Sequence, residues 1–242
     1  MPDRFTVAVS AAALASLGFV AACSSDATQP DEIANTRFIN ASSSTSSISA
    51  TNEGRVVATG LAFQNTNQPS NCSTVEHGSD EEIEFTLGGT TQDLGNVKAP
   101  FTAQANYSVV FYGPNNIAVY PDNFSAPPAG QNALRIINAT GAAGDVYVTG
   151  PNDLITIVGP TISGLASNQV SGFDASTAPG GTFTNYSNGS TRVRLFNPGQ
   201  IVNPRADFTI TAMPSNNVAT VVLTPPPSGG STTGFLVGPC GS

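Results

Sequence analysis

The residues able to do chemistry are few: one histidine, three cysteines and one acidic cluster in 242 residues. His77 sits in Asn71-Cys72-Ser73-Thr74-Val75-Glu76-His77-Gly78. A Ser-His-Asp relay or a multi-histidine metal site must use it or not exist. The segment has no strand–turn–helix context, so His77 reads as a solvated loop residue. Asp80, Glu81, Glu82 and Glu84 form the acidic cluster. A calcium site needs about six to eight oxygens gathered by a folded loop, and the D-x-D-x-D-G spacing is absent. Glu82-Ile83-Glu84-Phe85-Thr86-Leu87 alternates instead, which puts Ile83, Phe85 and Leu87 inward and both glutamates on the outer face of a strand. Thr191 to Phe196 alternates likewise, with Arg192 and Arg194 outward. Two acids stand in one place and two bases in the other. Exposed, they could dock one half of the chain on the other, or on another copy. No glycine-rich loop precedes a helix, so nucleotide binding is unsupported and no cofactor or metal is expected.

The cysteines divide by position. Phe5 to Ala22 is apolar and rich in small residues, and Val20-Ala21-Ala22-Cys23 resembles the lipobox of bacterial lipoprotein signals. That resemblance implies export, removal of residues 1–22 and acylation of Cys23, so that the membrane is a partner through the lipid. An ordinary signal peptide or a transmembrane helix is the alternative; Ala, Ser and Gly dilute the run for a span. Ser24 stands where an inner-membrane retention signal has Asp, which favours the outer membrane of a diderm cell envelope. Residues 23–35 read as a flexible tether. Cys72 and Cys240 remain, and in an oxidising compartment they form a natural disulfide. Free or intermolecular thiols are the alternative.

Charged residues make up only 10% of the chain, and 24 Gly with 18 Pro interrupt it too often for long helices. Short runs of Val, Ile, Thr, Tyr and Phe lie between these breaks, the pattern of an all-β protein. The net charge of −8 repels phosphate backbones and makes nucleic acid an unsuitable partner.

Several motifs recur in order. Thr36-Arg37-Phe38-Ile39-Asn40-Ala41-Ser42 matches Leu134-Arg135-Ile136-Ile137-Asn138-Ala139-Thr140, and residues 54–60 match 144–150. Glu82 to Phe85 matches Arg192 to Leu195. Residues 105–109 and 115–118 match 206–210 and 216–219, so the hairpin expected over Tyr107 to Tyr120 is expected again over Phe208 to Leu223. The Pro-rich stretch from Pro121 to Asn132 separates the halves. These signs predict two tandem immunoglobulin-like β-sandwich domains, 36–130 and 131–242, after the signal and tether.

The strand Arg135-Ile136-Ile137-Asn138-Ala139-Thr140, followed by Asp145-Val146-Tyr147-Val148-Thr149-Gly150, resembles the bacterial family called domain of unknown function 4397. The first half departs from the second motif, with Arg55 for the acid and Val57 for the tyrosine. The resemblance implies immunoglobulin-like β domains in exported or surface proteins, with no established catalytic residues to transfer. The functional expectation is a non-enzymatic surface-interaction or structural module with a protein or glycan partner. A carbohydrate- or peptidoglycan-binding module is the first alternative and needs an aromatic platform or polar groove. A hydrolase is the second, and needs His77 or an acidic pair in a cleft.

Overall fold

A computed structural model describes residues 33–67, 72–171, 184–187, 189–211, 218–225, 233–238 and 240. Cys23, the signal segment and most of the tether lie outside them. Glu32–Ser242 forms one compact unit.

The first nine strands are β1 Ile33–Asn40, β2 Ser47–Asn52, β3 Arg55–Ala62, β4 Asn65–Thr66, β5 Ser73–Glu76, β6 Gly78–Leu87, β7 Asp93–Phe101, β8 Asn106–Gly113 and β9 Asn116–Pro121. The next nine are β10 Gln131–Asn138, β11 Gly144–Thr149, β12 Ile162–Leu165, β13 Gln169–Val170, β14 Thr184–Ser187, β15 Thr191–Phe196, β16 Ala206–Ile210, β17 Val218–Thr224 and β18 Thr233–Val237. Among the described residues one 3-10 turn, Ile155–Ile157, interrupts this all-β order.

The strands build four sheets. β4-β1-β8-β9 (with β5 also on β1) and β3-β2-β6-β7 belong to the first half. β13-β10-β17-β18 (with β14 also on β10) and β12-β11-β15-β16 belong to the second. The pairing pattern of β1–β9 recurs strand for strand in β10–β18. Even the parallel pair β1–β8 has its counterpart in β10–β17, with Arg37 opposite Ser108 and Arg135 opposite Thr220.

Three apolar cores lie between these sheets. Phe38, Ile48, Ile83, Phe85, Val109 and Phe111 fill the first sandwich. Leu134, Ile136, Val146, Val193, Leu195 and Val221 fill the second. Ile39, Val110, Ile137, Val222 and Val237 form a third cluster from the opposite faces of the same inner strands. Phe38 and Ile39 are neighbours in β1 yet belong to different cores, because successive side chains leave a strand on opposite faces. The two inner sheets therefore pack on each other, and the layers run outer, inner, inner, outer. Strands buried on both faces carry continuous apolar runs (Val109-Val110-Phe111, Ile136-Ile137, Val221-Val222-Leu223), whereas outer strands such as β6 alternate.

Four sequence expectations change. Ile33 to Asn35, read as the end of the tether, begin β1, with Ala34 fully buried. The motif at 54–60 lies on β3, but its supposed match at 144–150 lies on β11, which pairs as β2 does. Likewise β8 corresponds to β17, not β16. The second copy of the hairpin fails for the same reason: β16 pairs with β15, and β17 pairs with β10 and β18, in different sheets. Short alternating Val/Thr runs look alike at period two, so they cannot specify which strand they are.

Candidate binding surface

The repeated Arg-x-x-Asn motif carries the join between the halves. Arg37 and Arg135 are 1% and 0% exposed, both in the layer between the inner sheets. Arg135 Nη2 meets Asp122 Oδ1 at 2.6 Å, Nε donates to Thr220 Oγ1 at 3.1 Å, and Nη1 donates to the Pro121 carbonyl at 3.2 Å. Ser108 Oγ donates to the Asp122 carboxylate and accepts from Arg135 Nη2. Burial holds the Arg37 guanidinium below its ordinary pKa, and the charge of Asp122 opposes that shift. Arg37 Nη2 donates to Cys72 Sγ at 3.4 Å, and Cys72 is bonded to Cys240. The expected disulfide is thus present, with Cα atoms 5.5 Å apart. It fastens the end of the chain to the first half beside the buried arginines. Asp122 escaped sequence reading because it sits in a Pro-rich stretch that looked like a linker. A single acid beside two buried arginines has no local signal.

The motif asparagines hold each sandwich closed. Asn40 Nδ2 donates to the Leu61 carbonyl, and its Oδ1 accepts from Ser42 N–H. Asn138 Nδ2 donates to the Leu165 and Ala142 carbonyls, and its Oδ1 accepts from Thr140 N–H. Asp145, the acid of the second motif, accepts from Gly164 N–H and Gly199 N–H. The signature residues therefore bind sheets and loops to one another.

Glu82 and Glu84 lie on the outer sheet of the first half, and Arg192 and Arg194 on the outer sheet of the second. Each has a partner within its own sheet or an adjoining loop. Lys98 Nζ lies 3.4 Å from Glu82, and Thr51 Oγ1 donates to Glu84. Arg192 holds Asp207 through both ends of its guanidinium. That contact pulls the Asp207 carboxyl below its ordinary pKa, against a smaller upward effect of burial. Arg194 Nη2 donates to Thr149 Oγ1 at 2.6 Å and to the Asp153 carbonyl. Arg194 is only 7% exposed, because residues 150–161 fold over it. His77 is exposed between β5 and β6. Among the described residues no three His, Cys, Asp or Glu side chains converge on a metal site.

The halves differ most at one connection. β2 turns into β3 at Glu53–Gly54, both at positive φ (48° and 77°), the tight left-handed geometry that favours glycine. The counterpart, β11 to β12, is the long segment 150–161. It is braced: Gly150 N–H donates to Asp153 Oδ2, Arg192 Nη1 to the Pro151 carbonyl, and Val148 N–H to Thr161 Oγ1. Its apolar side chains Leu154, Ile157 and Val158 nevertheless point outward, 66%, 81% and 44% exposed. A cavity of about 360 Å³ runs between this loop and Arg192 and Arg194. Every Phe and Tyr with a described side chain is buried or half-buried.

These features define an all-β, sandwich-like, disulfide-bonded chain. Residues 34–149 match the family model described as Domain of unknown function (DUF4397). The match begins in β1 and ends at the last residue of β11, so it takes in both Arg-x-x-Asn strands and stops before the 150–161 loop. No curated protein sequence matches the chain. Among solved structures, the chain is similar to CBMbc (family CBM26) from Eubacterium rectale Amy13K, crystallised in complex with maltoheptaose. The identity is 9%, the TM-score 0.24, and the alignment covers 85% of this chain and 96% of that one.

Proposed function

We propose that this protein is a lipid-anchored, non-catalytic module of the cell envelope, acting through its outer loops on a protein or glycan partner. The observation that carries this reading is the Cys72–Cys240 disulfide seated beside Arg37 at the join of the two halves. Such a bridge forms and persists in oxidising compartments, and it stiffens one four-layer body. The lipobox-like Val20-Ala21-Ala22-Cys23 supplies the anchor in this reading. The repeated motif residues hold the scaffold together, which leaves the loops for recognition.

Cells grown on labelled palmitate test the anchor. Label should appear on the wild-type chain and vanish with Cys23→Ser, and an unlabelled wild-type chain refutes this part of the reading. Binding of the mature protein to envelope extracts and to a glycan array then tests the interaction role. Turnover of an envelope substrate by the purified chain would overturn it.

A further inference from the structure

We propose that the Cys72–Cys240 bridge is a thiol–disulfide exchange site, opened by a dithiol reductant, with Arg37 holding the released Cys72 sulfur as a thiolate. Three observations carry this. First, a buried cation touches one sulfur of the bridge. Arg37 is 1% exposed, and its Nη2 donates to Cys72 Sγ at 3.4 Å. A guanidinium beside a cysteine favours the thiolate over the thiol. In the bridge that sulfur is neutral. After reduction it bears a full negative charge against the same donor, and a charge-assisted hydrogen bond is about twice as strong as a neutral one. Arg37 therefore stabilises the open form more than the closed one.

Second, the layer around the bridge accommodates a further negative charge. Among the described residues its buried charged side chains are Arg37 of β1, Arg135 of β10 and Asp122, which follows β9. Asp122 lies 2.6 Å from Arg135, and its charge also acts on Arg37. That one carboxylate serves both guanidinium groups. A thiolate at Cys72 adds negative charge on the Arg37 side.

Third, the bridge sits where it can open without unravelling a sheet. Cys72 is half-buried and immediately precedes β5. Cys240 is buried, but it lies beyond the end of β18 at Val237 and outside every described strand. β5 and β18 are edge strands of the two inner sheets, so the bridge clasps one edge of the stack. Once it opens, the halves keep the Asp122–Arg135 pair and the bond from the Tyr120 hydroxyl to the Asn168 carbonyl.

The exchange balances as two displacements. A thiolate of the dithiol attacks Cys240 Sγ, and local opening of the segment after β18 gives it access. A mixed disulfide forms, the Cys72–Cys240 bond breaks, and its electron pair leaves on Cys72 Sγ, the better leaving group because Arg37 stabilises it. The second thiol of the reductant gives up its proton and attacks its partner sulfur in the mixed disulfide, releasing Cys240. Cys240 takes up one proton, the other stays in solvent because Cys72 remains ionised, and the dithiol departs as a disulfide. The inference goes beyond the anchor reading and takes from it only the compartment in which the reductant acts.

Equilibration of the mature chain with reduced and oxidised dithiothreitol at pH 7, followed by thiol trapping and mass analysis, tests this. Lowering a thiol's pKa by one makes its ionised reduced form about tenfold more favourable. Arg37→Met should therefore need about a tenfold higher ratio of reduced to oxidised dithiothreitol for half-opening, and Arg37→Lys should restore much of the difference. Asp122→Asn, which removes the competing carboxylate, should shift the ratio the other way. A merely structural Arg37 predicts the reverse for Arg37→Met, since a loosened fold gives up its bridge more easily.

If circular dichroism shows Arg37→Met to be unfolded, the reduced wild type decides. Iodoacetamide labelling across pH, mapped by peptide mass, should show Cys72 ionising below Cys240 and below the ordinary thiol value of about 8.5. A folded Arg37→Met chain that opens at the wild-type ratio or a lower one overturns the proposal, and so does Cys72 ionising with Cys240 or above it. Absence of palmitate label would remove the anchor and leave these readings unchanged.

Discussion

Asp122→Asn is the most informative perturbation of the scaffold. The Asp122 carboxylate lies 2.6 Å from Arg135 Nη2, with the two side chains 4% and 0% exposed. It is also the acid whose charge acts on buried Arg37. Removing the negative charge leaves two guanidinium groups in a layer that excludes water. Breaking one partner out of a buried pair costs about 3–5 kcal/mol. For a chain of this size that corresponds to a fall in Tm of roughly 6–20 °C. Arg135→Met should cost less, about 1–3 kcal/mol, since Asp122 keeps the Ser108 hydroxyl bond and the field of Arg37. Removing all three charges (Arg37→Met, Asp122→Asn, Arg135→Met) should return stability to within about 2 kcal/mol of wild type. Urea unfolding with the disulfide intact measures all three, with the m-value checking that the unfolded state is unchanged. Asp122→Asn unfolding at the wild-type midpoint would refute the reasoning, and so would a larger loss from Arg135→Met than from Asp122→Asn.

Other outcomes follow from neighbouring contacts. Cys72→Ser with Cys240→Ser opens a loop of sequence separation 168 and should remove about 3–5 kcal/mol, read as a lower urea midpoint that dithiothreitol reproduces in the wild type. Asn138→Ala strips bonds to the Leu165 and Ala142 carbonyls and should destabilise by about 1–3 kcal/mol; Asn40→Ala should do the same in the first half. A value near zero at both positions would mean that water replaces the bonds. Tyr112 and Tyr120 share a hydroxyl contact at 3.0 Å, and burial pushes both phenols above their ordinary pKa, Tyr112 well above it. Their contribution is present below the unfolded value near 10 and is lost as pH rises through the folded values. Tyrosinate absorbance should therefore appear together with alkaline unfolding, and the double Phe variant should flatten that limb.

Much of the plan is legible from local chemistry. Glu82 to Leu87 alternates because β6 covers a core on one face only, and period two reveals that directly. The two-faced burial of Ile136-Ile137 and Val221-Val222 is not legible there: the repeat suggests two tandem sandwiches, and only the packing of the inner sheets on each other buries both faces of these strands. The equivalence of Arg37 to Arg135 and of Asn40 to Asn138 is plain in the residue order. Other matches misled: Ala105 to Val109 looks like Ala206 to Ile210, yet β8 and β16 occupy different sheets. Alternation states which face is apolar; it says nothing about which strand lies alongside.

What the chain order by itself determined is the class of structure and which residues of its strands face a core. Those depend on neighbours within a few residues. The tertiary structure decided that Asp122 neutralises the join between the halves, that Arg194 lies beneath a loop instead of on an open face, and that Leu154, Ile157 and Val158 remain outside. These depend on distances between segments far apart in sequence, and such distances are set by the packing of whole sheets.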